Sequence, residues 1–150
     1  MKNYIQIKDS MNKHFLSVTL YDLLTKLEGK FNKYHWSVYE LTAIARGNAN
    51  LNILQLEKEI AESPTGLHLS WNELLKLANG LEQVINLILV ASNKEEDFIR
   101  FEDHNRWRNK FFLVIEIIDG DCWEVYSRDS ELIKFLSKIY QNVKIVKEQV

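Results

Sequence analysis

The chain has few of the residues that build disulfides, metal sites and phosphate-binding loops. Its 150 residues include one cysteine, one proline and five glycines. The single cysteine, Cys122, excludes a disulfide within these residues and a zinc site made of several cysteines. The glycines are isolated, so neither a GxxxxGK[ST] loop nor a GxGxxG loop is present. A backbone cradle for phosphate is therefore not expected.

Long hydrophobic runs are also missing. The longest apolar run, residues 84–91, is interrupted by Asn86 and is far shorter than the ~20 residues of a membrane helix. Residues 1–8 contain no apolar stretch of signal-peptide length. The formal net charge of −2 gives no global attraction to DNA, RNA or an anionic membrane. We therefore expect a soluble, cytoplasmic protein that binds neither nucleic acid nor a membrane.

The chain does contain enough apolar material for one packed domain. Hydrophobic residues make up 46% of it and charged residues 27%, an ordinary globular balance. A domain of this size buries roughly 68–70% of the surface that its unfolded chain exposes. We predict a single globular domain over residues 1–150, stable without a metal or other cofactor.

Residues 66–92 are the best-specified stretch. Ser70 and Glu73 have the spacing of a capping box, in which each side chain accepts a hydrogen bond from the other residue's backbone N–H. Gly80 suits the left-handed position after a helix. The apolar run 84–91 that follows is typical of a buried strand.

A hairpin near the C-terminal third decides the sheet type. Asp119-Gly120 is a strong two-residue turn signal between strands predicted at 111–118 and 122–126. Further strands are predicted at 4–7, 35–45 and 143–146. Further helices are predicted at about 20–27, 51–61 and 130–140; the second would bury Leu51, Leu54, Ile60 and Ala61, and the third Leu132, Ile133, Leu136, Ile139 and Tyr140. We predict an α+β fold: a mixed or antiparallel sheet of five to six strands, with three to four helices packed mainly on one face.

Candidate catalytic groups are sparse. Glu116, Asp119 and Asp121 lie near the hairpin turn, where with His104 they would serve a metal-dependent small hydrolase or nucleotide-processing enzyme. The simpler interpretation is that Asp119-Gly120 only makes the turn and Asp121 flanks it in solvent. Cys122 follows acidic residues, which would raise its pKa, and matches no nucleophile motif. We therefore assign no catalytic residue, metal ligand or cofactor.

The segment 100–110 is the strongest candidate for binding. It holds four basic residues and two aromatic ones, and Arg and Trp are enriched at interface hot spots. The alternatives are a solvated loop whose Trp107 folds over the core, a protein interface, and a base-stacking site, which the near-neutral charge disfavours. The candidate partner-binding residues are Arg106, Trp107, Arg108, Glu102 and Asp103.

Two stretches carry a family resemblance. They are Gly66-Leu67-x-Leu69-Ser70-Trp71-x-Glu73-Leu74-Leu75 with Gln83-Val84-Ile85, and Trp123-Glu124-Val125-Tyr126-Ser127. The pattern resembles small bacterial proteins without assigned activity that recur near toxin–immunity loci. The resemblance implies an α+β domain that binds another macromolecule, and it supplies no catalytic residues. We expect a non-enzymatic protein-binding module, of immunity or regulatory type, with the metal-dependent enzyme as the alternative.

Overall fold

The computed structural model describes residues 3–8, 11–12, 15–16, 18–99 and 108–147. The strands are β1 (Asn3–Ile7), β2 (Met11–Asn12), β3 (Phe15–Leu16), β4 (His35–Ala45), β5 (Leu67–Leu69), β6 (Leu81–Ser92), β7 (Leu113–Ile117), β8 (Trp123–Ser127) and β9 (Val143–Lys147). The helices are α1 (Leu20–Thr25), α2 (Ile53–Glu62), α3 (Trp71–Asn79) and α4 (Ser130–Ile139). Short 3-10 turns lie at Glu95–Asp97 and Arg108–Lys110.

Within the described residues, seven strands form one antiparallel sheet in the order β5-β4-β6-β7-β8-β1-β9. A separate small ladder joins β2 to β3. The α+β class is confirmed, but the prediction of five to six strands is wrong. The strand missed in the main sheet is β5, whose three residues are too short to show an alternating pattern. Its pairing with β4 is a tertiary contact that local sequence does not encode.

The sheet has a face covered by helices, which we call the helix face, and an opposite open face. On β7 the residues Leu113, Ile115 and Ile117 join the main core with the helices, while Val114 belongs to a second cluster on the open face. The other buried members of that second cluster are Tyr39, Val90, Phe98, Phe111 and Tyr126. Because both faces are covered at the centre, β7 is buried along its whole length, as its apolar run, interrupted only by Glu116, indicates.

Helix caps follow the sequence closely. Ser70 and Glu73 form the expected capping box at α3, and the hydrogen bond from the backbone N–H of Ser70 holds the pKa of Glu73 below its ordinary value. Gly80 departs from prediction, because its φ is −84°, in the right-handed region. A Cβ at Gly80 would lie 2.5 Å from Cδ1 of Leu51. The close approach of the Leu51 side chain, rather than a left-handed turn, favours glycine at this position.

The buried stripe of α2 differs from the predicted one. Leu54 is 75% exposed and Ala61 is exposed, so the prediction that they are buried is wrong. The side chains that reach the main core are Ile53, Leu56 and Ile60, spaced i, i+3 and i+7. The stripe shifts because the helix starts at Ile53 and covers only the margin of the sheet beside β4. In α4, Ile139 is likewise 39% exposed where burial was predicted.

The two edges of the sheet are covered to different extents. At one edge, β5 pairs with β4 over Trp36–Val38, and α2 packs along the rest of β4. There the backbone N–H of Ala43 donates to Oε1 of Glu57 at 3.2 Å, so a helix side chain satisfies an edge donor. At the other edge, β9 has no strand neighbour beyond β1 in the described part of the chain.

The N-cap of α4 gives a pH-dependent contribution to stability. A hydrogen bond from Lys30 is the largest cause, and the N–H of Glu131 a further one, that hold the pKa of Asp129 below its ordinary 3.8. Because the folded-state pKa is the lower one, the stabilisation is present above about pH 5 and lost as pH falls through the folded value. We expect the free energy of unfolding of Asp129→Asn to fall less steeply than that of wild type between about pH 5 and 2.5, by under ~1 kcal/mol. Urea titrations across that range measure it, and identical slopes would contradict it.

Candidate functional site

The structure describes one of the five candidate partner-binding residues. Glu102, Asp103, Arg106 and Trp107 lie outside the described residues, as does His104 of the alternative catalytic set. Arg108 is described, in the 3-10 turn that leads into β7. The candidate site in the described structure is therefore the surface on which Arg108 lies.

Arg108 is held on the open face by a buried carboxylate. Its Nε donates to Oε2 of Glu116 at 2.6 Å, and its Nη2 donates to Oε1 at 3.2 Å. The two side chains are 15% and 2% exposed. The guanidinium carbon also lies 4.6 Å from the centroid of the Tyr126 ring, within cation–π range. The paired hydrogen bonds and the ring together fix both the position and the plane of the guanidinium.

Aromatic and polar pairs continue this arrangement across the open face. Tyr126 stacks on Tyr4 of the neighbouring strand, with ring centroids 4.5 Å apart, and Gln6 donates to Glu124 at 3.1 Å. Burial raises the pKa of the Tyr126 phenol, against the opposing effect of Arg108, so the ring stays neutral. Arg108 therefore sits on a rigid layer of cross-strand pairs.

Beside this layer lies an exposed apolar area, which we call the open-face patch: Ile44, Ile88 and Ile118, with Thr42 and Asn86 between them. Thr42 pairs with Asn86 in the β4–β6 register, and Ile88 pairs with Glu116 in the β6–β7 register. Ile44 is 47% exposed and Ile118 is 58% exposed. The patch is thus an apolar surface that borders the Arg108–Glu116 pair.

The turn after β7 is anchored to the patch. The backbone N–H of Asp119 donates to Oδ1 of Asn86 at 3.0 Å. Asp119 and Gly120 both have positive φ, 53° and 65°, which confirms the Asp-Gly turn with the dihedrals that a type I′ turn requires. The sequence showed Ile118 only as the last residue of an apolar strand. Ile118 is exposed because it lies in the turn after β7, beyond the covered centre of the sheet.

The acidic groups of the enzyme hypothesis do not converge in the described chain. Glu116 is paired with Arg108, and Asp121 lies 3.5 Å from Nζ of Lys8 at the surface. Among the described residues, no group of three or more His, Cys, Asp or Glu side chains is placed to hold a metal ion. The metal-dependent alternative therefore has no ligand set in that part of the molecule, and His104 lies outside it.

Cys122 and two tryptophans, Trp36 and Trp123, are buried in the core. Cys122 is buried, and burial first, then Glu124 and Asp121, raises the pKa of its thiol, so the thiolate nucleophile is disfavoured. The indole N–H groups of Trp36 and Trp123 donate to backbone carbonyls at 3.2 and 2.8 Å. These hydrogen bonds hold both indoles in the core.

Two concave features of the described residues are candidate binding sites. A small cavity of about 40 Å³ lies between α1, α3 and the β7–β8 turn, with a largely apolar lining that includes Val18 and Trp123. An open cleft of about 570 Å³ lies beside the C-terminus of α3, where Arg46 donates to the carbonyl of Asn79 at 2.9 Å. In the cleft, Arg46 caps the helix, and neither feature brings catalytic side chains together.

Comparison with protein-family models, with curated proteins and with solved structures finds no match to this chain. In the described residues, no helix combines the length and the apolar character needed to cross a bilayer.

Proposed function

We propose that the chain is a small cytoplasmic, non-enzymatic protein-binding module that uses the open-face patch and the Arg108 segment beside it. One observation carries the proposal: an arginine fixed by two hydrogen bonds to Glu116 borders a surface on which Ile44 and Ile118 are about half exposed. Exposed apolar area with a polar rim is characteristic of protein interaction sites.

The candidate anchors in the segment 100–110 fit this location. Trp107 is the residue before Arg108 in the chain. In this proposal Arg108 contributes through its fixed position on the open face, and Trp107 and Arg106 supply the hot-spot chemistry. Glu102 and Asp103 belong to the same segment and add acidic groups at its far end.

The turn after β6 carries acidic charge, which favours a basic partner. Glu95 and Glu96 are exposed in the Glu95–Asp97 turn, and Asp97 is oriented by the hydroxyl of Ser92 at 2.6 Å. Acidic groups on a rigid support can take the place of nucleic-acid phosphates toward a basic protein. In its concrete form the proposal is an immunity-type or regulatory protein that binds its target stoichiometrically.

The test separates the open-face patch from other exposed hydrophobes. A protein captured by the wild-type chain from the native host is identified, purified and titrated calorimetrically against Ile44→Asp/Ile118→Asp. Leu54→Asp is the matched control, because Leu54 is exposed on α2, away from the open face. We expect the double variant to lose roughly 10- to 100-fold in affinity, since two charges enter an apolar contact. The control should bind like wild type.

Thermal melts of all variants show whether the fold is intact. The proposal fails if the double variant binds like wild type, or if Trp107→Ala keeps full affinity for every captured protein. It also fails if the host yields no partner that forms a stoichiometric complex.

A further inference from the structure

The edge strand β9 presents backbone groups in a defined pattern. The N–H of Lys8 donates to the carbonyl of Asn142 at 3.0 Å, and the register continues this pair to Gln6–Lys144 and Tyr4–Val146. In an antiparallel ladder, hydrogen-bonded pairs alternate with non-hydrogen-bonded ones. Lys144 and Val146 therefore bond to β1, whereas Val143, Ile145 and Lys147 direct their N–H and C=O groups away from the sheet.

The side chains of β9 leave apolar area beside these groups. Ile145 is 46% exposed on the helix face, opposite Ile5, and Val143 and Val146 are half-buried. The lysines, Lys144 and Lys147, are exposed. Within the described ranges no strand pairs with these outward groups, and an edge that also carries an exposed isoleucine favours the addition of another strand.

We infer that β9 pairs antiparallel with β9 of a second copy of this chain, about a two-fold axis that passes through Ile145. Only odd-numbered residues of β9 can supply the new hydrogen bonds. Pairing them through Ile145 uses all five residues of the strand and places Ile145 opposite its own counterpart. Two-fold symmetric association through one self-complementary surface is the commonest form of oligomer.

Charge selects this register over its neighbours. With Ile145 on the axis, Lys144 faces Val146 of the second copy and Lys147 faces Val143, so each aliphatic lysine stem packs on a valine. Shifting the axis to Lys144 would place two lysines directly opposite each other, which destabilises a strand pair. Shifting it to Val146 would shorten the overlap. The sequence of β9 is thus self-complementary in one register.

The dimer surface is separate from the open-face patch. The patch lies on β4, β6 and β7, and β8 and β1 stand between it and β9. At the opposite edge α2 packs along β4, and the outermost strand, β5, has only three residues, so little backbone is presented for strand addition there. The inference therefore does not depend on the proposed function. An acidic strand from another protein is the competing occupant, because it would complement both lysines.

Sedimentation equilibrium over about 5–500 µM tests the inference. We expect a reversible dimer with twice the 17.7 kDa of one chain, of modest affinity because one strand pair covers less than the ~1,200 Å² of a standard interface. Ile145→Pro removes an outward N–H without removing a hydrogen bond to β1, and it should leave only monomer. Ile145→Thr keeps that N–H and the branched side chain, and it should still dimerise, more weakly.

The register is tested at Val146, which faces Lys144 of the second copy. Val146→Glu places a carboxylate opposite that lysine and should tighten the dimer roughly 2- to 20-fold, while Val146→Lys should weaken it by a similar factor. Thermal melts confirm that each variant folds. A wild-type chain that is monomeric at the highest concentration overturns the inference. So does a dimer that Ile145→Pro leaves intact, or one that responds to neither Val146 variant. A monomer that binds a peptide of alternating glutamate and valine assigns the edge to another protein and also overturns it.

Discussion

Replacing Gly66 with alanine is expected to lower the free energy of unfolding by roughly 3–5 kcal/mol, because two penalties add. Gly66 has φ +77°, a conformation that L side chains rarely adopt. A Cβ there would lie 2.5 Å from the carbonyl oxygen of Val38, against the hydroxyl of Ser37 and 2.7 Å from the Tyr39 ring. Moving the backbone of β4, or breaking the 2.6 Å hydrogen bond from Ser37 to the carbonyl of Thr65, would cost stability.

Gly29→Ala is the matched control for this prediction. Gly29 also has a positive φ, +87°, but a Cβ there would meet nothing within 4 Å. Gly29→Ala should therefore lower the free energy of unfolding by only the conformational penalty of about 1–2 kcal/mol. Urea denaturation of both variants measures the difference. Equal losses would show that the close approach to β4 contributes nothing and that only the left-handed backbone matters.

Short-range signals in the sequence were sufficient for several elements. The Ser70–Glu73 capping box and the Asp119-Gly120 turn each depend on residues within four positions of one another. The hydrogen bonds that define them are local, so residue type and spacing determine them. The α+β class follows from the same signals, since a hairpin excludes a purely parallel sheet.

Long-range contacts account for the errors. The strand β5 exists because it pairs with β4, some thirty residues earlier in the chain. Leu54 is exposed because α2 lies against the margin of the sheet, which turns a different stripe toward the core. Gly80 ends α3 in the right-handed region, and the side chain of Leu51, from an earlier part of the chain, packs against it. Propensity and periodicity contain no information about which elements meet.

The site was only partly accessible from the sequence for the same reason. Arg108 was a candidate because of its residue type, and Glu116 was assigned to a carboxylate cluster with Asp119 and Asp121. In the structure Nε of Arg108 instead donates to Oε2 of Glu116 at 2.6 Å, because the 3-10 turn folds back onto β7. The open-face patch joins three strands, so no window of sequence contains it. Alternation in β4 and β6 would have been the signal, but bulges in their pairing interrupt it.

Replacing Arg108 with alanine is expected to destabilise the protein by roughly 3–5 kcal/mol, the cost of breaking a buried ion pair by removing one partner. Glu116 is 2% exposed and pairs in register with Glu124, so without Arg108 its carboxylate is left beside another acidic group. Chemical denaturation at neutral pH measures the loss. Arg128→Ala is the control: Arg128 is exposed, lies over Phe112 at 5.2 Å, and should cost under ~1 kcal/mol.

A second replacement distinguishes the lost charge pair from lost packing. Arg108→Met/Glu116→Leu removes both charges and keeps similar volume, so most of the stability should return, because buried pairs are often matched by apolar residues. If the double variant is as unstable as Arg108→Ala, the guanidinium stabilises the sheet through Tyr126 rather than through Glu116. Partner affinity then supplies an independent measurement. The double variant lacks the fixed guanidinium beside the open-face patch, so the proposed function requires it to bind more weakly than wild type.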